Sequence, residues 1–130
     1  MIDKVAWIHV VDGRILSTRS HGKDAYYLPG GKREPGESDV ETLVREVSEE
    51  LTVDIDPASS ALFGVFAAQA HGREAGVLVQ MTCYTAEYRG SLAPSNEIAE
   101  LAWLSYADRD RVSPVDQIIF DHLRDTGQLA

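Results

Sequence analysis

Residues 30–53 read GGKREPGESDVETLVREVSEELTV, a glycine-rich loop followed at once by a helix start and an acidic helix. Pro29-Gly30-Gly31 continues neither a strand nor a helix, and Gly36 is a further position of free φ. Ser38 followed by Glu41 is a capping box, which places the helix start at Ser38. Val40, Leu43, Val44, Val47 and Leu51 then recur with the helical period and form one buried stripe. Glu46, Glu49 and Glu50 stand at i, i+3 and i+4, roughly 100° around the helix from that stripe.

Like charges one turn apart, such as Glu46 and Glu50, cost helix stability. Such a face is either a solvated acidic surface or a site in which a hard divalent cation turns repulsion into binding. The preceding loop favours the second reading, because its glycines let backbone amides approach a phosphate closely. It is not a Walker A loop: Arg33 follows Lys32, and no Ser or Thr stands in the required place. Glu37 closes the loop beside the helix start, where it can point toward the same cavity. Arg45 is one turn from both Glu41 and Glu49 and can orient carboxylates.

Gly31, Glu37, Arg45-Glu46-Val47 and Glu49-Glu50, at these spacings, resemble the signature box of the MutT/Nudix hydrolases, and the match runs to Val53. The family usually has glycine where this chain has Thr52. A β-branched residue enters a left-handed helix cap poorly. Val53 and Ile55 let the chain leave the helix without a tight glycine turn, so the helix is expected to run through Thr52. The resemblance implies an α/β (α+β) fold, an α/β/α sandwich with a mixed sheet between helices in which the box forms a loop–helix–loop. It also implies hydrolysis of a nucleoside diphosphate linked to another group, with Mg²⁺ (Mn²⁺ as a substitute) as cofactor. Glu46, Glu49 and Glu50 would be metal ligands, with Glu37 completing the shell. Glu50 or Glu97 would accept the proton of the attacking water, Arg45 would orient carboxylates, and the Gly30 and Gly31 backbone would contact substrate or metal.

The remaining chain fits that reading. Its 130 residues suit one domain, 1–130, with a proper core. Hydrophobic residues at 44% and charged residues at 25% are those of an ordinary soluble protein. No apolar run reaches a membrane span and no signal peptide is evident, so a cytoplasmic setting is expected. Cys83, the one cysteine, lies in an apolar run and reads as a core residue. A net charge of −9 without a basic track argues against duplex nucleic acid and anionic membranes, but not against a metal-chelated nucleotide. The oligomeric state is open, a homodimer included.

The pattern predicts strands at 5–11, 14–18, 25–28, 61–70, 77–88 and 98–104, with a hairpin turn at Asp12-Gly13 and Trp103 in the core. A last helix opens at Ser113-Pro114, with Asp116 as box partner, and ends at Gly127. His9, His21, His71 and His122 show no ligand spacing; His71 is the one nearest a loop that can border substrate. Trp7, Tyr26 and Tyr27 can stack on a base, although strand aromatics are more often core. Glu97 precedes a strand in Ser95-Asn96-Glu97, and Glu100 is a weaker candidate of the same kind.

Within the resemblance, the proline of ADP-ribose hydrolases would fall near Ala67 and the tyrosine of diadenosine polyphosphate hydrolases near Gln69 or Ala70. Neither is present. Elimination leaves a nucleoside triphosphate, normal or oxidised, cleaved to monophosphate and pyrophosphate. The alternatives are a catalytically silent nucleotide-binding module and a pyrophosphohydrolase of RNA 5′ ends. No G-x-S-x-G supports a serine hydrolase.

Overall fold

Strand β1 (Ile2–Trp7) is the spine of the computed structural model, which describes residues 1–130. Its alternation sorts two cores. Val5 and Trp7 pack with Leu43, Val47 and Leu51 of helix α1 (Asp39–Leu51). Ala6, on the opposite face, packs with Val115, Ile119, Phe120 and Leu123 of helix α2 (Pro114–Asp125). The sheet between the helices is mixed, in the order β4-β1-β7-β6. Here β4 is Gly30–Gly31, β6 is Ala61–Gln69 and β7 is Leu78–Thr85. β1 runs parallel to β7, while β4 and β6 pair antiparallel to their neighbours. β2 (Val10–Val11), β3 (Arg14–Ser20) and β9 (Ile98–Leu104) form a second, antiparallel sheet; β5 (Asp54–Ile55) pairs with β8 (Tyr88–Arg89). This is the expected sandwich. Neither helix is long and apolar enough to cross a membrane.

The local signals were mostly sound. Asp12 and Gly13 both have positive φ, 52° and 77°, as a two-residue hairpin turn requires. The Ser38–Glu41 box is formed reciprocally, Glu41 N–H to Ser38 Oγ at 3.1 Å and Ser38 N–H to Glu41 Oε1 at 2.9 Å. Cys83 is fully buried.

Several expectations need correction. The strand read at 5–11 starts at Ile2 and is split after Trp7, because the chain leaves β7 there to begin the hairpin. Residues 25–28 make only isolated bridges, Thr18 with Tyr27 and Tyr26 with Val112. The strand read at 77–88 stops at Thr85, and Tyr88 pairs with the unpredicted β5 instead. Trp103 is only half-buried, at the edge of the α1-side core.

At the start of α2, Pro114 occupies the first turn as expected, but the Ser113–Asp116 box does not form. Asp116 points inward. It is fully buried, and its Oδ2 accepts the Leu28 N–H at 3.1 Å while Oδ1 has no partner. Burial pushes its pKa up to about 7.

The helix also does not run through Thr52. Thr52 is the C-cap in the left-handed region, φ 60° and ψ 26°, and its N–H donates to Ser48 O. A glycine turn is made here by a residue poorly suited to it, held by a Thr52 Oγ1 bond to Ser91 O at 3.2 Å.

Two predictions follow from these positions. Thr52→Gly relieves left-handed strain of about 1–2 kcal/mol, less the exposed hydroxyl bond, for a net gain of about 1 kcal/mol. The thermal midpoint should therefore rise by about 4 °C. A fall would show that the hydroxyl bond outweighs the strain. Asp116 has its folded pKa raised above the unfolded value, so the folded state holds the extra proton between about pH 4 and about 7. Its contribution to stability is best at low pH and is lost as pH rises through 7. Asp116→Asn removes this titration, so denaturant midpoints of variant and wild type should diverge in the variant's favour from pH 5 to pH 8. A constant difference would refute the assignment.

Candidate active site

Two adjacent glycines seat the loop against the helix for different reasons. At φ 145°, Gly30 faces β1 so closely that a Cβ would lie 2.0 Å from Val5 O. On Gly31 a Cβ would lie 2.6 Å from the Glu46 carboxyl carbon. Gly30 admits the β1 backbone, and Gly31 admits a carboxylate. Gly30 N–H also donates to Glu50 Oε1 at 3.2 Å.

Glu46, Glu50 and Glu97 converge, each offering an oxygen within 4.8 Å of the others'. Glu50 is buried at 6% exposure, whereas Glu97 is exposed. Burial holds the Glu50 pKa well above the usual carboxylate range, and repulsion from Glu46 and Glu97 adds to it. Burial also raises the Glu46 pKa, against the pull of Arg45. Glu97 arrives from far along the chain because the segment before β9 is stitched to the last turn of α1. Ala93 N–H donates to Leu51 O at 3.1 Å, and Ser95 N–H to Glu50 O at 2.9 Å. These bonds satisfy carbonyls that a helix end leaves open. Asn96 then turns through φ 56°, placing Glu97 beside Glu50.

Arg45 lies on the outer side of the cluster. Its Nε and Nη2 donate to the two Glu37 oxygens at 2.7 and 2.9 Å, and its Nη1 to Glu46 Oε1 at 2.8 Å. It also donates to Lys32 O and lies 3.7 Å from Glu49, but it makes no bond to Glu41. Glu37 further accepts from Thr42 Oγ1 and Glu34 N–H, so its carboxylate is held down to about 2, chiefly by Arg45. Glu37 is thus a partner of Arg45, not a member of the convergent trio. Glu49 is also outside it, on the exposed flank of the helix.

Beside the trio opens a cavity of about 470 Å³, lined by both glycines, Glu46, Glu50 and Glu97. Tyr27 and His71 line it too, in edge-to-face contact at 6.1 Å; His71 is the histidine expected nearest substrate, whereas Tyr27 lies in a segment expected as a strand. The other base-stacking candidates do not reach it. Trp7 is core, its Nε1 donating to Ala86 O, and Tyr26 donates its hydroxyl to Glu100 at 2.6 Å. Glu100 is paired with Arg19 at 2.7 Å and is no rival base. His9 stacks on Trp7 and His122 packs on Phe63 and Phe66.

Sequence reasoning missed Lys4, Lys23 and Arg73, which line the same cavity. Lys4 had a readable signal, being the one cation of strand β1, directly before the fully buried Val5 and Ala6.

The trio's chemistry suits a hard divalent cation: ligands all oxygen, mutually repelling, and set against glycine backbone that a Cβ would fill.

Comparisons with known proteins agree. The model of the NUDIX domain family matches residues 3–123. A 53-residue stretch is 43% identical to an RNA pyrophosphohydrolase of Halorhodospira halophila, covering 41% of this chain but only 28% of that relative's length. The solution structure of the E. coli ORF135 protein superposes with a TM-score of 0.68 at 29% identity, covering 95% of this chain and 91% of that one. The mutator MutT protein of Bacillus halodurans superposes with a TM-score of 0.72 at 24% identity, covering 95% and 82%.

A cation that neutralises the trio binds the folded state alone and stabilises it by mass action. Millimolar Mg²⁺ or Mn²⁺ should therefore raise the thermal midpoint of wild type. Glu50→Gln should lose that rise while being at least as stable as wild type in chelator, since a buried, repelled carboxylate has been removed. An unchanged wild-type midpoint at saturating metal would dismiss the site.

Proposed function

The chain belongs to the Nudix family, hydrolases of phosphorus-containing anhydrides, and we propose that it is a Mg²⁺-dependent pyrophosphohydrolase cleaving a nucleoside triphosphate to monophosphate and pyrophosphate. The observation that carries this is the convergence of three carboxylates on a glycine loop at the wall of a cavity of about 470 Å³, a volume suited to a small nucleotide.

We assign Glu46 and Glu50 to hold the cation, with Glu49 on the outer flank of the same helix as a further ligand. Glu37 acts through Arg45, which fixes the Glu46 carboxylate. When bound, the cation makes its water more acidic and neutralises the diphosphate. Glu97, whose carboxylate accepts no hydrogen bond within the protein, takes the water's proton; Glu50, tied to Gly30 N–H, serves as ligand. Tyr27 offers a face to the base, and Gly30 and Gly31 keep side chains out of the phosphate path. A buried, unpaired thiol and a chain without a membrane-crossing helix support a cytoplasmic setting.

A second reading, hydrolysis of a triphosphorylated RNA 5′ end, is supported by the Halorhodospira relative. The net charge of −9 favours the free nucleotide, because RNA tracks need cations along their length.

Turnover of a panel of normal and 8-oxo nucleoside triphosphates, with ADP-ribose, a diadenosine polyphosphate and a triphosphorylated RNA, tests the reading. A triphosphate should be fastest and release pyrophosphate, not orthophosphate. Glu97→Gln should lower kcat by about 10²–10⁴-fold, as removal of a general base does, while keeping the metal-induced rise in thermal midpoint. Faster turnover of any other substrate class would overturn the substrate, and a few-fold loss in Glu97→Gln would return the base to Glu50. No turnover at all would favour a silent binding module.

A further inference from the structure

The chain has three lysines, Lys4, Lys23 and Lys32, and all of them line one cavity together with Arg73. None of these four forms an ion pair or donates a side-chain hydrogen bond. Of the other eight cations, Arg19, Arg33, Arg45, Arg109 and Arg111 each hold a carboxylate, while Arg14, Arg89 and Arg124 do not. A protein of net charge −9 has thus gathered four cations free of carboxylates at one place, with Lys4 over the Tyr27 ring at 5.9 Å.

Three of the four also lie within electrostatic reach of one another, Lys32 and Arg73 both acting on Lys4. Burial weakens the hold of Lys4 on its proton, and the charges of Lys32 and Arg73 weaken it further. Asp116 and Glu50 offset part of that repulsion, and an anion in the cavity relieves it further.

Two of the cations stand apart from the trio's helix. Lys23 lies in the loop after β3 and Arg73 in the loop between β6 and β7, both exposed at the cavity. The contact of Tyr27 with His71 brings these two segments together. The second loop is braced from within: Gln69 Nε2 donates to Glu74 O at 2.7 Å and its Oε1 accepts from Gly76 N–H at 3.0 Å. The loop's own polar needs are met by Gln69, and the Arg73 guanidinium is left for a ligand.

We propose that Lys23 and Arg73 bind a phosphate beyond the scissile diphosphate, so that the site selects nucleoside polyphosphates over nucleosides carrying only a diphosphate or a diphosphate-linked sugar. This rests on the pyrophosphohydrolase reading. A diphosphate is answered by the cation at Glu46, Glu50 and Glu97 and by Lys4 and Lys32. The terminal phosphate of a triphosphate supplies the further charge that pairs with Lys23 and Arg73. The same pair supplies local attraction against the overall negative field.

The test compares wild type, Lys23→Ala, Arg73→Ala and the double variant on a nucleoside triphosphate and on the diphosphate of the same nucleoside, with Mg²⁺. Neither side chain is bonded to the protein, so thermal midpoints should match wild type. Binding of the α,β-methylene triphosphate, followed by calorimetry, gives a readout that does not require turnover. KM and Kd for the triphosphate should rise about tenfold per substitution, as loss of a charge-assisted phosphate contact implies, with kcat and the diphosphate constants changing less than about twofold. The ionic-strength dependence of kcat/KM for the triphosphate should flatten in the double variant. Equal losses on both nucleotides would mean that these cations serve the nucleoside, and would overturn the inference. No loss on either would do the same. A wild type that binds the methylene analogue with this pattern but turns over neither nucleotide would retain the inference and remove the hydrolase reading instead.

Discussion

Arg45 is the one cation that pairs with the glutamates of the box, and the arrangement of the site depends on how far its charge reaches. It takes both Glu37 oxygens and one of Glu46, and stands near Glu34 and Glu49. It does not reach Glu50, which lies on the inward side with only a backbone N–H for a partner. One guanidinium thus divides the carboxylates into two groups. Those on its side share its charge, and Glu37 in particular keeps the loop on the helix. The inward group, Glu50 and Glu97 with the shared Glu46, keeps an excess of negative charge. Lysine would not substitute, because a point charge cannot span Glu37 and Glu46 with parallel donors.

The trio is assembled by backbone as much as by side chains. Glu97 lies far from the box in sequence, and the open carbonyls at the end of α1 bring it there. Ala93 and Ser95 amides cap those carbonyls, so helix termination and site assembly are one event. The left-handed cap at Thr52 belongs to the same junction, since its hydroxyl binds Ser91 in the arriving segment. A threonine in a strained conformation is tolerable where a neighbouring strand over-determines the turn. Glycine would suit the φ better, but it carries no hydroxyl to hold the loop.

Local chemistry was legible where it is local. The box, the capping pair, the hairpin at Asp12-Gly13 and the two helix faces depend on residues a few positions apart, and their periodicity carries them. The relation of Glu97 to Glu46 and Glu50 was visible only as a candidate, because a carboxylate before a strand looks the same whether or not a helix end captures its loop. Glu37 and Glu49 were read as ligands by resemblance. The side chains set the first against Arg45 and the second on an exposed flank beside the trio, positions that turn on rotamers which spacing does not encode. Asp116 shows the same limit from the other direction. Spacing from Ser113 suggested a cap, while the depth of α2 in the core turned the carboxylate inward to the Leu28 amide. The end of α1 was misjudged for a related reason: propensity disfavours a left-handed threonine, and tertiary bonds overrode it.

The cavity joins two kinds of unpaid electrostatics (a repelling carboxylate trio on one wall and unpaired cations around the rest). Each is costly by itself, and they relieve each other only in part, because Lys4 feels the Glu50 charge without forming a bond to it. Moving them together would quench both and close the site. A cation at the trio and an anion on the cations relieve both at once, and a metal-chelated polyphosphate is a single ligand that brings the two charges in that order. The rigid elements keep the walls apart: Glu46 and Glu50 ride on a helix packed against Val5 and Trp7, while Lys4 projects from the same strand β1. Charge separation fixed by one strand and one helix is therefore the property that lets an acidic protein present an anion site at all.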